Sequence, residues 1–185
     1  MGFKDYCITA AKELEQVFDK MDENAVERLL DQLIGAKRIF LIGGGREGLV
    51  TRAFAMRLAH MGKEAYWIWA DTTPAIGRND VLLIATSSCT GGVLTHVVKS
   101  AKEHGAHISL ITADDSGPVG PYADSKLFIP AQGYLAAGDL VQSEQPMGNL
   151  FEQSMYITLD VVAMLLSRKL GQSYEEMEKR HRNVE

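Results

Sequence analysis

The sequence predicts an α/β protein with a mostly parallel, five-stranded sheet between two layers of helices, a three-layer α-β-α arrangement. Two patterns support this prediction. Short apolar runs, typical of strands that are buried on both faces, occur at residues 39–42, 65–69, 81–85, 107–112 and 126–129. Amphipathic segments of helical period lie between several of these runs, and that alternation implies right-handed crossovers between parallel strands.

Composition narrows the functional class. A chain of 185 residues with 46% apolar residues can bury a substantial core, and we expect a single domain over residues 1–185. The net charge of −5 argues against a nucleic-acid partner, because nucleic acid requires a basic face. Cys7 and Cys89 are far apart and fit neither a disulfide framework nor a zinc site. We see no signal peptide and no membrane-spanning apolar run, and we therefore expect a cytoplasmic protein.

The first strand is preceded by two predicted helices and followed by a glycine-rich loop. The helices cover residues 3–20 and 25–34, with Asp22 as the N-cap of the second and Gly35 at its end. After strand 39–42, the glycines at 43, 44, 45 and 48 allow a tight turn into helix 49–61. Free N–H groups and the positive end of the helix dipole meet there, and they favour an anionic ligand.

Two further loops follow the second and third strands, at residues 71–75 and 86–92. Because ligands of parallel sheets bind beyond the carboxyl ends of the strands, we expect these loops and the glycine loop to form one site. The segment 86–92 is rich in hydroxyl groups and begins helix 93–104, so Ser and Thr hydroxyls and helix N–H groups could surround a phosphate. The alternative is that these hydroxyls only cap the helix.

The last third of the chain begins with an irregular segment, residues 131–147, and loops of that length are more often functional than idle. Helix 149–170 is apolar over more than one face, which indicates a subunit interface in addition to the core. Ser173 and Glu176 form a capping box for a short terminal helix that ends near residues 180–182.

Three residue patterns have competing interpretations. The spacing Gly43-x-Gly45-x-x-Gly48, with Asp71 after the second strand, matches a dinucleotide fingerprint, although the chain lacks a second domain to hold a hydride acceptor. Glu152 is either a helix-stabilising acid in a first turn or a general base at a pocket rim. His181 in its charged segment would normally be solvated, and His60 is expected to pack against the sheet. No pair of histidines has metal-ligand spacing.

Several motifs together resemble the 6-phospho-3-hexuloisomerases of the sugar isomerase (SIS) domain family. They are Gly45-Arg46-x-Gly48, residues 53–62, Thr72-Thr73-Pro74, Pro146-Met147-Gly148-x-x-Phe151-Glu152 and Lys179-Arg180-His181-x-Asn183. The resemblance implies a five-stranded parallel sheet, a homotetramer and interconversion of arabino-hex-3-ulose 6-phosphate and fructose 6-phosphate without metal or cofactor. It also implies that Glu152 is the base of an enediol mechanism and that His181 assists from a neighbouring subunit. The expected ligand-binding residues are Gly45, Arg46, Glu47, Thr72, Thr73, Thr86, Ser87, Ser88 and Gly91.

Two positions depart from the family pattern. The family commonly has Ser where this chain has Glu47, and its second loop has Thr where this chain has Gly91. A carboxylate about 4 Å from a phosphate would weaken phosphate binding about tenfold or more. We therefore expect that Glu47 points to solvent, that it pairs with Arg46 or Arg52, or that the distal group of the ligand is not a phosphate. Alternatives to the phosphosugar isomerase are an isomerase of another sugar and a non-catalytic sugar-binding regulator.

Overall fold

The computed structural model describes residues 1–184 and contains one sheet of five strands. The strands are β1 (Arg38–Gly43), β2 (Ala65–Trp67), β3 (Asp80–Ala85), β4 (His107–Thr112) and β5 (Ser125–Phe128). Their spatial order is β2-β1-β3-β4-β5, and all neighbouring pairs are parallel. The predicted fold class and number of strands are confirmed.

Six α-helices surround this sheet in the described part of the chain. They are α1 (Phe3–Asp19), α2 (Glu23–Gly35), α3 (Gly45–His60), α4 (Gly92–Glu103), α5 (Asn149–Lys169) and α6 (Tyr174–Lys179). The predicted caps are present: the Asp22 carboxylate accepts the N–H of Asn24, and Ser173 and Glu176 form a reciprocal capping box. Several boundaries differ from the prediction by one or two residues, among them the end of β2, and the largest difference is that α3 begins at Gly45 rather than at residue 49.

The early start of α3 has a packing cause. A Cβ atom on Gly43 would lie 2.9 Å from the backbone N of Gly48, and one on Gly48 would lie 2.6 Å from the carbonyl oxygen of Gly43. The first turn of the helix therefore lies directly against the end of β1, where only glycine fits. As a result, Arg46 and Glu47 belong to the first turn of α3, next to the carboxyl end of β1, and not to an open loop.

More helices cover one face of the sheet than the other. Ile39 and Leu41 of β1 face a core formed with α1, α2, α3 and α5, whereas Phe40 and Ile42 face α4. All six residues of β3 are buried, as expected for a central strand covered on both sides. The α-β-α arrangement is confirmed, with most of the helices on one face.

The chain reverses its winding direction between β1 and β3. From β1, α3 leads to β2 at one edge, whereas from β3, α4 leads towards β4 and the other edge. The connections therefore diverge at the carboxyl ends of β1 and β3 and leave a crevice there. In open α/β sheets this topological switch point is where ligands bind.

Helix α5 is the most apolar helix. An 18-residue window within Pro146–Lys169 has a mean hydropathy of 1.2 and could cross a membrane by length and composition alone, contrary to the expectation that no run would qualify. Half of it is buried within the protein, and α5 packs on α1, α2 and α3, which is how a core helix behaves. Its other face exposes Tyr156, Ile157, Val161 and Met164.

Candidate functional site

The crevice at the switch point collects the chemically active side chains of four segments. These segments are the first turn of α3, the loop that follows β3, the first turn of α5 and the irregular segment 131–147. The positions that the sequence indicates as site residues and that meet here are Arg46, Glu47, Ser87 and Glu152.

Arg46 connects the starts of two helices. Its Nε lies 2.9 Å from Oε2 of Glu152, and one of its terminal nitrogens donates a 2.7 Å hydrogen bond to the Asn149 side-chain oxygen. The Glu152 side chain is 15% exposed, and among the described residues its Oε2 has no partner other than this ion pair. Burial raises the pKa of Glu152, and the charge of Arg46 partly opposes this rise. A raised pKa makes the carboxylate a stronger base, which suits it to accept a proton from a substrate.

Glu47 is oriented differently from the two expectations about its side chain. It points into the crevice, where its Oε1 accepts the backbone N–H of Ser87 at 2.8 Å. It does not pair with the expected arginines: Arg46 is paired with Glu152, and the Arg52 guanidinium lies 5.9 Å from the centroid of the Trp67 ring. These two expectations were therefore wrong, because the Ser87 N–H of the β3 loop, 40 residues away in sequence, takes the Glu47 carboxylate.

Burial raises the pKa of Glu47, and the nearby charge of Glu152 adds to this rise. The hydrogen bonds from Ser87 oppose it without cancelling it. The crevice thus contains two carboxyl groups that interact electrostatically and one guanidinium, which is paired with Glu152. A bound ligand would meet an excess of negative charge on this side of the crevice.

The loop after β3 supplies the other side. Thr86, Ser87 and Ser88 are all buried, and the hydroxyls of Ser88 and Thr90 are 2.8 Å apart. Gly91 caps α4 with a φ of 120°, a conformation that favours glycine. The first turn of α4 has no acidic residue, so its N–H groups, which lack partners within the helix, remain available to an anion.

The segment 131–147 covers this loop. A Cβ atom on Gly133 would lie 2.5 Å from Cβ of Ser87, and one on Gly148 would lie 2.8 Å from the backbone N of Tyr134. The segment is anchored by Glu13 of α1, whose carboxylate accepts hydrogen bonds from the Ser143 hydroxyl, the Glu144 N–H and the Gln145 side chain. The sequence indicated a functional segment here but not the contacts with Glu13 and Ser87.

Backbone strain marks the same loops. Cys89, just before α4, and Met147, just before α5, have φ values of 54° and 62°, which are uncommon for residues with a side chain. Such strain persists only where surrounding contacts enforce it, and it is concentrated at functional sites. Sequence reasoning missed both positions, because neither residue type signals a left-handed conformation.

Thr72 and Thr73 are not brought to this cluster by any contact among residues 1–184. Thr72 is exposed, and the Thr73 hydroxyl donates to the carbonyl oxygen of Trp67 at 2.8 Å. Thr73 also borders a groove with Pro74 and His96, on the α4 side of the sheet.

His181 lies away from Glu152 within one chain. It follows α6, with its ring centroid 5.1 Å from that of His60 at the end of α3. Arg180 holds this segment by donating to the carbonyl oxygen of His60 at 3.1 Å. Burial lowers the pKa of His60, and His181 and Arg57 lower it further. Glu152 pairs with Arg46 in the first turn of α3, whereas His181 lies beside His60 at the end of that helix. Arg46 and Arg57 of the last turn are about 16 Å apart along the helix axis, so Glu152 and His181 do not meet within one chain.

A metal centre is not indicated by the described residues: residues 1–184 contain no cluster of three or more His, Cys, Asp or Glu side chains that could hold an ion. Both cysteines are free thiols, Cys7 exposed and Cys89 buried.

Comparison with known proteins identifies a family. A model of the SIS domain matches residues 32–133. A 3-hexulose-6-phosphate isomerase of Mycobacterium gastri is 36% identical over 166 residues, which cover 90% of this chain and 83% of that protein. A 3-hexulose-6-phosphate isomerase of Methanocaldococcus jannaschii is 38% identical over 164 residues, which cover 88% of this chain and 85% of the relative.

A solved structure is also similar. A hypothetical protein from Methanococcus jannaschii, for which a molecular function of 3-hexulose-6-phosphate isomerase was inferred, superimposes with a TM-score of 0.85 at 30% sequence identity. The match covers 98% of this chain and 99% of that one. The glycine motif that also fitted a dinucleotide fingerprint therefore lies within a sugar isomerase domain.

Proposed function

Because the chain belongs to the SIS domain family, we propose that it is a sugar-phosphate isomerase that interconverts arabino-hex-3-ulose 6-phosphate and fructose 6-phosphate. The names of the relatives support this substrate pair. The observation that carries the proposal is the Glu152 carboxylate at the switch point, which is ion-paired with Arg46 and whose pKa burial raises.

The reaction moves one proton between adjacent carbons. In the proposed mechanism, Glu152 removes the proton from the hydroxyl-bearing carbon beside the ketone, the electron pair forms a C=C bond, and the carbonyl π electrons move onto the carbonyl oxygen to give an enediolate. A proton then passes from the neighbouring hydroxyl oxygen to that oxygen, and the protonated Glu152 returns its proton to the former carbonyl carbon while the new C=O forms. The exchange is internal to the sugar, so no external reductant or oxidant is needed. Arg46 is a positioning residue, since it fixes the Glu152 carboxylate and keeps one of its oxygens directed at the crevice.

The two sides of the crevice are proposed to bind different parts of the ligand. We assign the phosphate to the loop with Thr86, Ser87, Ser88 and Gly91, at the open start of α4. Gly45 and Arg46 would contact the sugar, and Thr72 and Thr73 would approach it from the end of β2. The reaction requires neither a metal nor an organic cofactor.

The proposed active unit is an oligomer, a tetramer by family resemblance. The apolar face of α5 that is exposed in one chain supports association. Association would also bring His181 of one chain towards Glu152 of another, which a single chain does not do. We further propose a cytoplasmic location, with which the two free thiols agree.

The test is a continuous coupled assay of the purified protein with arabino-hex-3-ulose 6-phosphate, which reads the formation of fructose 6-phosphate. Glu152→Gln should lower turnover at least ~10²-fold with little change in ligand affinity, as expected for the loss of a general base. Glu103→Gln, a charge change of the same size at an exposed residue at the far end of α4, should retain full activity. An unchanged rate in Glu152→Gln would contradict the assignment. Binding of the sugar phosphate without isomer exchange in the unmodified protein would instead favour a regulator.

A further inference from the structure

Glu47 takes one of the backbone N–H groups of the β3 loop and leaves the start of α4 to a ligand. Its carboxylate reaches across the switch-point crevice from α3 and accepts the N–H of Ser87 at 2.8 Å. Ser87 is buried beneath Gly133, so this N–H cannot turn towards another acceptor. One of the two helix starts at the crevice thus already holds a carboxylate, and the other, at α4, has no acidic residue in its first turn.

The charges around Glu47 disfavour a second anion at the same place. The neighbouring groups that face it are Glu152 from α5, which is negative, and Ser87 from the β3 loop, which is neutral. The cation of the cluster, Arg46, is paired with Glu152. A hydroxyl group fits better, because it can donate a hydrogen bond to a carboxylate oxygen, whereas a second anion can only be repelled by it.

We propose that Glu47 is a specificity-determining residue that reserves the α3 side of the crevice for an uncharged, hydroxyl-bearing part of the sugar and confines the phosphate to the start of α4. The inference rests on the proposed function for the identity of the ligand as a sugar phosphate. It also gives the orientation of the ligand in the crevice. The sugar hydroxyls would contact Glu47, and the phosphate would lie near Ser88 and Thr90.

The test separates charge from hydrogen bonding at one position. Glu47→Gln keeps the shape and the acceptor for the Ser87 N–H but removes the charge, whereas Glu47→Ser removes both. Glu103→Gln, exposed at the far end of α4, changes the net charge equally and serves as the control. Inorganic phosphate and unphosphorylated fructose are titrated separately into each protein at pH 7.5, and binding is followed by protein NMR shifts.

Both Glu47 variants should bind inorganic phosphate about tenfold more tightly than the Glu103→Gln control does, since a repelling charge at about 4 Å is removed. Fructose binding should be unchanged in Glu47→Gln and about fivefold weaker in Glu47→Ser, which has lost the acceptor of the sugar hydroxyl. These opposite changes distinguish specificity from a purely structural role.

Phosphate affinities within twofold of the control in Glu47→Gln would overturn the inference, and Glu47→Gln alone decides if Glu47→Ser does not fold. The experiment measures binding and needs no turnover. An inactive protein in the isomerase assay would therefore refute the proposed function without affecting this result, and the reverse also holds.

Discussion

At the scale of single residues, the crevice is organised by which partner each charged side chain takes. Arg46 forms an ion pair with Glu152 and donates a hydrogen bond to Asn149, both on α5. Glu47 instead accepts hydrogen bonds from Ser87 and has no arginine partner among the described residues that the structure shows at its carboxylate. The arginine therefore compensates the charge of one carboxyl group, whereas burial raises the pKa of the other.

The raised pKa of Glu47 predicts a pH-dependent stability difference. A carboxyl group whose pKa is higher in the folded than in the unfolded protein binds its proton more tightly when folded. It therefore costs stability as the pH rises above the ordinary Glu value of 4.5. Glu47→Gln removes this cost, so it should unfold at a higher temperature than the unmodified protein at pH 7.5, and the difference should shrink towards pH 4.

Thermal melts of both proteins across that pH range measure this effect, with Glu103→Gln as the surface control. A Glu47→Gln protein that melts below the unmodified protein at pH 7.5 would contradict the raised pKa. It would indicate that the charge-assisted hydrogen bond to Ser87 outweighs burial.

At the scale of elements, the segment 131–147 connects the two halves of the site. It lies against Ser87 through Gly133, against the start of α5 through Tyr134, and against α1 through Glu13. Since Ser87 donates to Glu47 and α5 carries Glu152, this segment holds both carboxyl groups at their present spacing.

Gly133→Ala is expected to disturb this arrangement. The added methyl group would lie 2.5 Å from Cβ of Ser87, so either the segment or the β3 loop must shift. Overpacking of this kind costs about 1–3 kcal/mol of unfolding free energy. Turnover should fall together with stability, because the Ser87 N–H moves away from Glu47.

Gly77→Ala is the matched control, since its added Cβ would meet no atom within 4 Å and its φ needs no glycine. Denaturant unfolding and the isomerase assay of both variants check the expectation. Equal stability and activity in the two variants would mean that the segment does not position the β3 loop.

At the scale of the whole molecule, the proposed joint roles of Glu152 and His181 require residues that lie far apart in one chain to share a site. Glu152 pairs with Arg46 at the start of α3, whereas α6 holds His181 beside His60 at the end of α3. The exposed apolar residues of α5 provide a surface for association. A shared site between subunits is consistent with both observations.

A shared site predicts complementation between inactive variants. Glu152→Gln and His181→Ala would each form inactive homo-oligomers, but mixed oligomers would contain some sites with both native residues. Random mixing of two chains should restore about a quarter of the native sites. Co-expression with two different affinity tags, followed by the coupled assay, measures this recovery.

The controls are each variant alone and a mixture of separately purified homo-oligomers that has not exchanged subunits. Inactive mixed oligomers, isolated with both tags, would show that His181 does not contribute to the site of another chain. Full activity of His181→Ala alone would remove His181 from the mechanism.

The sequence by itself determined the fold class, the strand number and the caps of α2 and α6, and it predicted candidate site residues without showing which of them meet. Strand periodicity and capping are local properties, because they depend on neighbours two to four residues away. The buried runs of β1 and β3 and the Ser173–Glu176 capping box are therefore evident without any tertiary contact. The resemblance in the Pro-Met-Gly-x-x-Phe-Glu motif likewise requires only the order of residues.

Only the tertiary structure decided where Glu47 points and which residues share a site. The start of α3 depends on the close approach of Gly48 to Gly43, and the bond from Ser87 to Glu47 joins residues 40 positions apart. The separation of His181 from Glu152 follows from the docking of α6 on the end of α3. These are long-range packing effects, and a carboxylate on a helix has no local signal for which distant donor it will meet.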